Sequence, residues 1–211
     1  MQYQIIPVTD FEQNCSLVWD EQSMQGAFVD PGGESAILLA AAAEAGVTIT
    51  RLLLTHGHID HVGAAAQLAQ QLGVPVEGPH EDDRYWLEQL PQQAARFGLS
   101  HVDAFLPHRW LADGDTVEIG RLRLQVIHCP GHTPGHIVFY HAATQLALVG
   151  DVLFRGAIGR TDFPGGDHAS LLKSIHTKLL PLGDEVRFIP GHGPISTFGY
   201  ERLNNPFLRD K

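Results

Sequence analysis

A chain of 211 residues, 44% of them hydrophobic, is long and apolar enough to bury a substantial core, which excludes a disordered chain. Its 24 acidic residues against 14 Lys and Arg leave a formal charge of −10, so no basic surplus exists to neutralise a nucleic-acid backbone. The opening MQYQIIPVTDF has no basic stretch followed by an apolar one, and no segment is long enough to span a bilayer, so a cytoplasmic protein without nucleic-acid or membrane partners is expected.

In chain order, YQIIPV, SLVWD and GAFVD read as the strands of a meander, closed by PGG. ESAILLAAAAEAG is a helix, rich in Ala and Leu, with Glu34 near its start and Gly46 at its end. RLLLT follows as a buried strand, VGAAAQLAQQLG as a helix stopped by Gly73, and VPVEG as the next strand, making a βαβ unit. Residues 80 to 112 are polar, mixed and aromatic, with Pro91 interrupting any long helix. A helical or irregular excursion is expected there, and it is the place to look for substrate contacts. DGDTVEIG and RLRLQVIHCPG read as a hairpin with Asp-Gly turn chemistry, and HIVFYH and LALVGD as further strands. SLLKSIHTKLLPLG is an amphipathic helix, and VRFIPGHG a final strand ending in a turn. No low-complexity linker or short repeat divides the chain, so residues 1-211 are read as a single domain. Strands, helix and strand on either side of the excursion predict α/β architecture: two packed sheets with helices outside, a four-layer αββα sandwich.

Two cysteines, Cys15 and Cys129, are too few for a disulfide framework and are expected to be reduced, small and partly buried. Cys129 lies close to a His-rich turn, where oxidation would matter.

The densest chemistry lies in RLLLTHGHIDHVGAAA, residues 51 to 66, where His56, His58, Asp60 and His61 follow three leucines. Leaving a strand, His56 and His58 can point the same way by its period of two, while Asp60 and His61 turn back from the loop and helix start. Imidazoles packed this closely repel one another when protonated and gain little unless a cation holds them. Imidazole and carboxylate donors suit zinc, iron or manganese, and three protein ligands per ion leave positions open for water. Three further candidates end strands or glycine turns: His132 in CPGHTPGH, Asp151 in LALVGDVLF and His192 in FIPGHGP. A carboxylate has two oxygens, so Asp151 could bridge two cations. Gly150 and Gly191 are expected to turn the backbone tightly beside these ligands at positive φ. The remaining histidines, His128 and His136 among them, are read as surface or satisfied structural groups.

Together THGHIDH, His132, Asp151 and His192 resemble the motifs of the metallo-β-lactamase superfamily, over nearly the full length of the chain. The resemblance implies an αββα sandwich with a dinuclear centre at one sheet edge. One ion would be held by His56, His58, His132 and Asp151, the other by Asp60, His61, His192 and Asp151. Within the superfamily, GDVLFRGAIGRTDFPGG, PGHGPISTFG and the tail ERLNNPFL are most similar to the compact, single-domain bacterial members of the glyoxalase II group. Full-length glyoxalase II enzymes carry an added C-terminal helical region that helps hold glutathione. No such separate domain is expected here, and the basic residues of its clamp are not carried over to this chain.

The expected function is therefore hydrolysis of a thioester such as S-lactoylglutathione, with two zinc ions as cofactor and iron or manganese as alternatives. Two cations sharing a water lower its pKa, so that a hydroxide is available near neutral pH, and the charge that develops on the carbonyl oxygen is stabilised electrostatically. Asp60 is the catalytic candidate, able both to ligate and to orient that hydroxide. Thr133 is read as a hydrogen-bonding residue that fixes the orientation of His132. Arg160 and Asp162 either form an ion pair that pins the loop after Asp151 or contact substrate. Two other readings stay open. His56, His132 and Asp151 alone would make the two-His, one-carboxylate triad of a mononuclear iron persulfide dioxygenase, a branch that GRTDF also resembles. A non-catalytic metal-binding domain is the other.

Overall fold

The computed structural model describes residues 1–209. In the first sheet, β1 (Gln2–Val8), β2 (Gln13–Trp19) and β3 (Gln25–Val29) form the antiparallel meander. Helix α1 (Ser35–Glu44) then crosses to β4 (Thr48–Leu53), which pairs in parallel with β3. A second crossover, through α2 (Ile59–Val62) and α3 (Ala65–Leu72), leads to β5 (Val76–Glu77), parallel to β4. Both long helices stop where expected, at Gly46 and Gly73, each with φ 67. The excursion holds α4 (Arg84–Glu88) and α5 (Leu90–Phe97).

The second sheet starts with β6 (Thr116–Ile119), β7 (Leu122–His128), β8 (Ile137–His141) and β9 (Leu146–Gly150), each antiparallel to the one before. A two-stranded ribbon, β10 (Leu153–Phe154) with β11 (Ala157–Ile158), follows, and then α6 (His168–Ser174). The chain returns as β12 (Arg187–Pro190), parallel to β9, and β13 (Ser196–Thr197) closes that edge before α7 (Phe198–Asn204).

Three apolar cores separate four layers. Leu38, Leu68, Leu87 and Leu90 from the helices pack on Leu17, Phe28, Leu52 and Leu54 of the first sheet. Between the sheets, Val18, Ala27, Val29 and Leu53 meet Val126, Phe139, Leu148 and Ile189. On the far side, Val138, Ala147, Val149 and Phe188 meet Leu171, Ile175, Leu179 and Phe198. This is the αββα sandwich, and it explains the three leucines of RLLLT. Strand side chains alternate faces, so Leu52 and Leu54 bury against helices while Leu53 buries against the opposite sheet.

Several local expectations are corrected. The hairpin of β6 and β7 turns at Gly120 and Arg121, not at Asp113-Gly114, which precedes it. The helix read from VGAAAQLAQQLG starts earlier, at Ile59, and breaks at Gly63 and Ala64, where the Ala64 N–H donates to Pro31 O. Pro91 does not interrupt a helix. It occupies the first turn of α5, where a missing N–H costs nothing, and the break falls at Gln89. The late helix continues from α6 through a π turn at Ile175–Leu179 and a 3₁₀ turn at Leu180–Leu182. VRFIPGHG is followed by a further strand and helix. Cys15 and Cys129 are wholly buried rather than partly so. Burial pushes the Cys129 thiol up to about 12, which suppresses the reactive thiolate and argues against oxidation there. Among the described residues, no helix is long and apolar enough to cross a membrane.

Phe139 is wholly buried between the sheets, so truncating it leaves a void that neither sheet can close. Phe139→Ala is expected to lower stability by about 3–5 kcal/mol, read as a reduced urea midpoint with an unchanged slope.

Candidate metal centre

The predicted ligands converge at one edge of the sandwich, where β4, β9 and β12 end and the β7–β8 connection turns. His56 and His58 follow β4, while Asp60 and His61 lie on the single turn of α2. Asp151 follows β9, and His192 follows β12. The two sheets are stitched together here by Asn14 of β2, whose N–H donates to Gly191 O at 2.7 Å and whose side-chain amide donates to Pro190 O and Gly193 O.

Which ring nitrogen each histidine offers is set by what its other nitrogen touches. His61 Nδ1 donates to Asp30 Oδ2 at 3.0 Å, His132 Nδ1 to the Arg160 carbonyl at 2.7 Å and His192 Nδ1 to the Phe11 carbonyl at 3.0 Å. The Thr55 hydroxyl donates to Asp30 Oδ2, which leaves its oxygen to accept from His56 Nδ1 at 3.0 Å. Four rings therefore present Nε2 as a lone pair. His58 is reversed: its Nδ1 lies 3.1 Å from His56 Nε2 and 3.0 Å from His132 Nε2.

Two groups of donors result. Nitrogens of His56, His58 and His132 form one, and Asp60, His61 and His192 form the other. In the second, Asp60 Oδ2 lies 3.2 Å from His192 Nε2 and 3.7 Å from His61 Nε2. Asp151 stands between the groups, with Oδ2 3.6 Å from His132 Nε2 and 3.9 Å from His192 Nε2, and Oδ1 3.3 Å from His61 Nε2.

The charge states suit a cation. Burial, reinforced by neighbouring imidazoles, pushes His56 well down and His58 down to about 3. Burial opposes ionisation of Asp151, yet His61, His132 and His192 outweigh it and hold the carboxyl well below its usual range. Burial likewise opposes charge on His61, but Asp151 and Asp60 raise it well above the usual imidazole value, so without a cation this ring holds a proton that metal binding would displace to free Nε2. The site thus favours neutral His56 and His58 beside an anionic Asp151. His61 Nε2 and Asp151 Oδ1 are buried without a hydrogen-bond partner, a costly arrangement that a shared cation would relieve. The residues fit a pair of metal ions.

The other predicted residues fall as follows. Thr133 makes no hydrogen bond to the His132 ring. Its hydroxyl donates to Asp83 at 2.8 Å, and the Arg160 carbonyl holds His132 instead. Arg160 and Asp162 form a bidentate ion pair at 3.0 and 2.8 Å, with the Arg160 guanidinium 4.6 Å above the Phe163 ring. Gly150 has φ 49, as expected, but Gly191 is not at positive φ. Gly191 is needed for space, since a Cβ there would lie 2.1 Å from Asp151 Oδ1 and 2.5 Å from His61 Cε1.

Sequence reasoning missed the groups that hold the ligands. Asp30, at φ 55, orients His61 and also accepts from the Thr55 N–H; the signal was an Asp followed by PGG at a strand end. His136 is wholly buried, stacks on His56 and accepts from the Asp151 N–H at 3.0 Å, so it is more than a satisfied structural group. Asp83 joins the two histidine loops by accepting from Gly57 N, Thr133 Oγ1 and Gly135 N. Gln93 of α5 accepts from the Ile59 N–H and donates to the Gly57 and Trp86 carbonyls. Nothing in the polar excursion marks Asp83 or Gln93 in advance.

Asp60, Asp151, His58 and His132 open into a cavity of about 330 Å³. Its walls are aromatic, from Phe11, Trp86, Phe97, Phe154 and Phe163, and Arg96 and Arg160 are its basic residues. The excursion supplies Trp86, Gln93, Arg96 and Phe97.

Comparison with known proteins agrees with this geometry. The sequence profile of the metallo-beta-lactamase superfamily matches residues 8–192. The hydroxyacylglutathione hydrolase GloC of Haemophilus influenzae is 51% identical over 212 residues, covering 100% of both chains. Among solved structures, the BLEG-1 B3 metallo-beta-lactamase superposes with a TM-score of 0.91 at 34% identity, covering 99% of this chain and 100% of the other. TTHA1623, solved in a di-iron-bound form, superposes with a TM-score of 0.88 at 39% identity, covering 97% and 100%. The clustered histidines and aspartates are a metal-binding site.

Asp83 yields a test with a definite sign. Burial pushes it up to about 6, against the pull of its three hydrogen-bond donors. The folded state therefore holds this proton more tightly than the unfolded chain does. The group's stabilising contribution is complete below about pH 4 and declines as pH rises through about 6. Asp83→Ala strands those donors and is expected to cost about 1–3 kcal/mol, with the gap from wild type narrowing between about pH 4 and about pH 7. Urea titrations of metal-free protein across that range check both; a gap that widens with pH contradicts the assignment.

Proposed function

The chain belongs to the metallo-beta-lactamase superfamily, and we propose that it hydrolyses thioesters of the S-lactoylglutathione class at a pair of metal ions. One observation carries the reading: two complete donor groups share Asp151 and face an aromatic cavity. His56, His58, His132 and Asp151 would hold one ion, and Asp60, His61, His192 and Asp151 the other. Zinc is the expected metal, with iron or manganese compatible with the same donors. When bound, the ions supply an ionised water near neutral pH and positive charge facing the carbonyl oxygen.

The chain's own residues do the rest. Asp60 lines the cavity as well as facing His61 and His192, so it can both ligate and orient the attacking hydroxide. The aromatic walls shield one side of the donors from bulk water, which strengthens charge interactions there. Water adds to the acyl carbon and the carbon–sulfur bond breaks, giving a carboxylic acid and a thiol. A thiolate leaves readily, so no protein acid is required at the sulfur. We read the chain as a single domain acting in the cytoplasm on a small molecule, without nucleic-acid or membrane partners.

A mononuclear iron persulfide dioxygenase would use His56, His132 and Asp151 and leave Asp60, His61 and His192 without a task. A non-catalytic metal-binding module would leave the cavity beside the donors unused. The second donor group and the cavity favour the hydrolase.

Elemental analysis is expected to find about two ions per chain, and S-lactoylglutathione cleavage is expected to proceed without oxygen. Asp60→Asn should lower kcat by about 10²-fold or more. About one iron per chain, no thioester cleavage and oxygen uptake with glutathione persulfide would replace the hydrolase with the dioxygenase.

A further inference from the structure

The cavity wall carries a cation that the hydrolytic chemistry does not use. Arg96 sits in the last turn of α5 and lines the cavity beside Phe97, whose ring packs edge-on against Phe11 at 5.5 Å. The helix is clamped to the metal loop through Gln93, which also lines the cavity and precedes Arg96 by three residues, so the two share one helix face. Arg96 is thus presented from a rigid element.

The two basic residues of the cavity differ in one respect. Arg160 is engaged by Asp162 through both guanidinium edges. Arg96 makes no ion pair among the described residues, whereas Arg51, Arg84, Arg109, Arg123 and Arg202 each have a carboxylate. A chain with a formal charge of −10 repels anions at long range. An unpaired arginine on the wall of its reactive cavity supplies local attraction where that field would otherwise oppose binding.

We propose that Arg96 is a specificity-determining residue that binds a carboxylate on the thiol half of the substrate, so that the enzyme selects acyl-thiols whose carrier is anionic. This rests on the thioester reading above. Planar guanidinium and carboxylate match as a bidentate pair, and the aromatic walls hold the uncharged part of the carrier between that pair and the metal donors. The competing role for Arg96 is a helix C-terminal cation that only steadies α5. Such a role would make no distinction between charged and uncharged carriers.

The test uses the full-length, metal-loaded protein and two probes, glutathione and its diethyl ester, which lacks the free carboxylates. Calorimetry measures binding of each to wild type, Arg96→Gln and Arg96→Lys, and kinetics follow S-lactoylglutathione beside a lactoyl thioester of the uncharged N-acetylcysteamine. Arg96→Gln is expected to weaken glutathione binding and raise KM for S-lactoylglutathione by about ten-fold. Its kcat, its diester binding and its uncharged thioester cleavage should stay within about two-fold of wild type. Arg96→Lys should recover part of the loss. Raising ionic strength should weaken glutathione binding in wild type more than in Arg96→Gln. Equal effects on charged and uncharged probes, or no effect on either, would overturn the assignment while leaving thioester hydrolysis intact. If wild type cleaves no thioester yet binds glutathione over its diester through Arg96, the hydrolase reading fails and the assignment of Arg96 stands.

Discussion

The Asp151 carboxylate stands, nearly buried, between two sets of imidazole nitrogens, and much of the surrounding backbone serves to keep it there. Its N–H is held by His136, whose ring stacks on His56 and leaves no room for a side chain at Gly150. Its carboxylate would collide with any side chain at Gly191, across the parallel pair of β9 and β12. A negative charge this buried is stable only because His61, His132 and His192 surround it. The same enclosure leaves Oδ1 without a hydrogen bond, an unmet demand that a cation would satisfy.

The donors come from both sheets, so the centre is also where the sandwich is joined. His56, His58, Asp60 and His61 follow the first sheet, whereas His132, Asp151 and His192 belong to the second. Asp30 and Thr55 orient the first set from beneath, and Asn14 ties β2 to the backbone around Gly191. Asp83 adds a third tie, between the loop carrying His58 and the loop carrying His132. Each tie uses a buried polar group whose loss would strand partners as well as remove a bond.

The excursion between the two halves builds a cavity against the donor cluster. Its helices carry Trp86, Gln93, Arg96 and Phe97 to the cavity, and Gln93 couples their position to the backbone of Gly57 and Ile59. Donors that one short motif could place anywhere on a surface are thereby enclosed against aromatic walls, where charge interactions are stronger than in water.

What the sequence determined by itself is local. Alternating burial made the strands legible, Ala-rich stretches ended by Gly46 and Gly73 made the helices legible, and the crowding of His56, His58, Asp60 and His61 announced a cation before any fold was known. The layer order followed from the order of those elements. Tertiary structure decided everything that depends on contacts distant along the chain: that Asp30 orients His61, that Asp83 binds Thr133 when Thr133 was expected to serve His132, and that His136 supports Asp151. It also decided that Gly191 is required for clearance and not for φ, and that Arg96 alone, of the cavity's two arginines, lacks an ion-pair partner among the described residues. The physical reason is one of range. Propensity and periodicity act over a few residues and leave a mark in sequence, whereas a hydrogen bond or a steric limit between segments exists only once packing has brought them together.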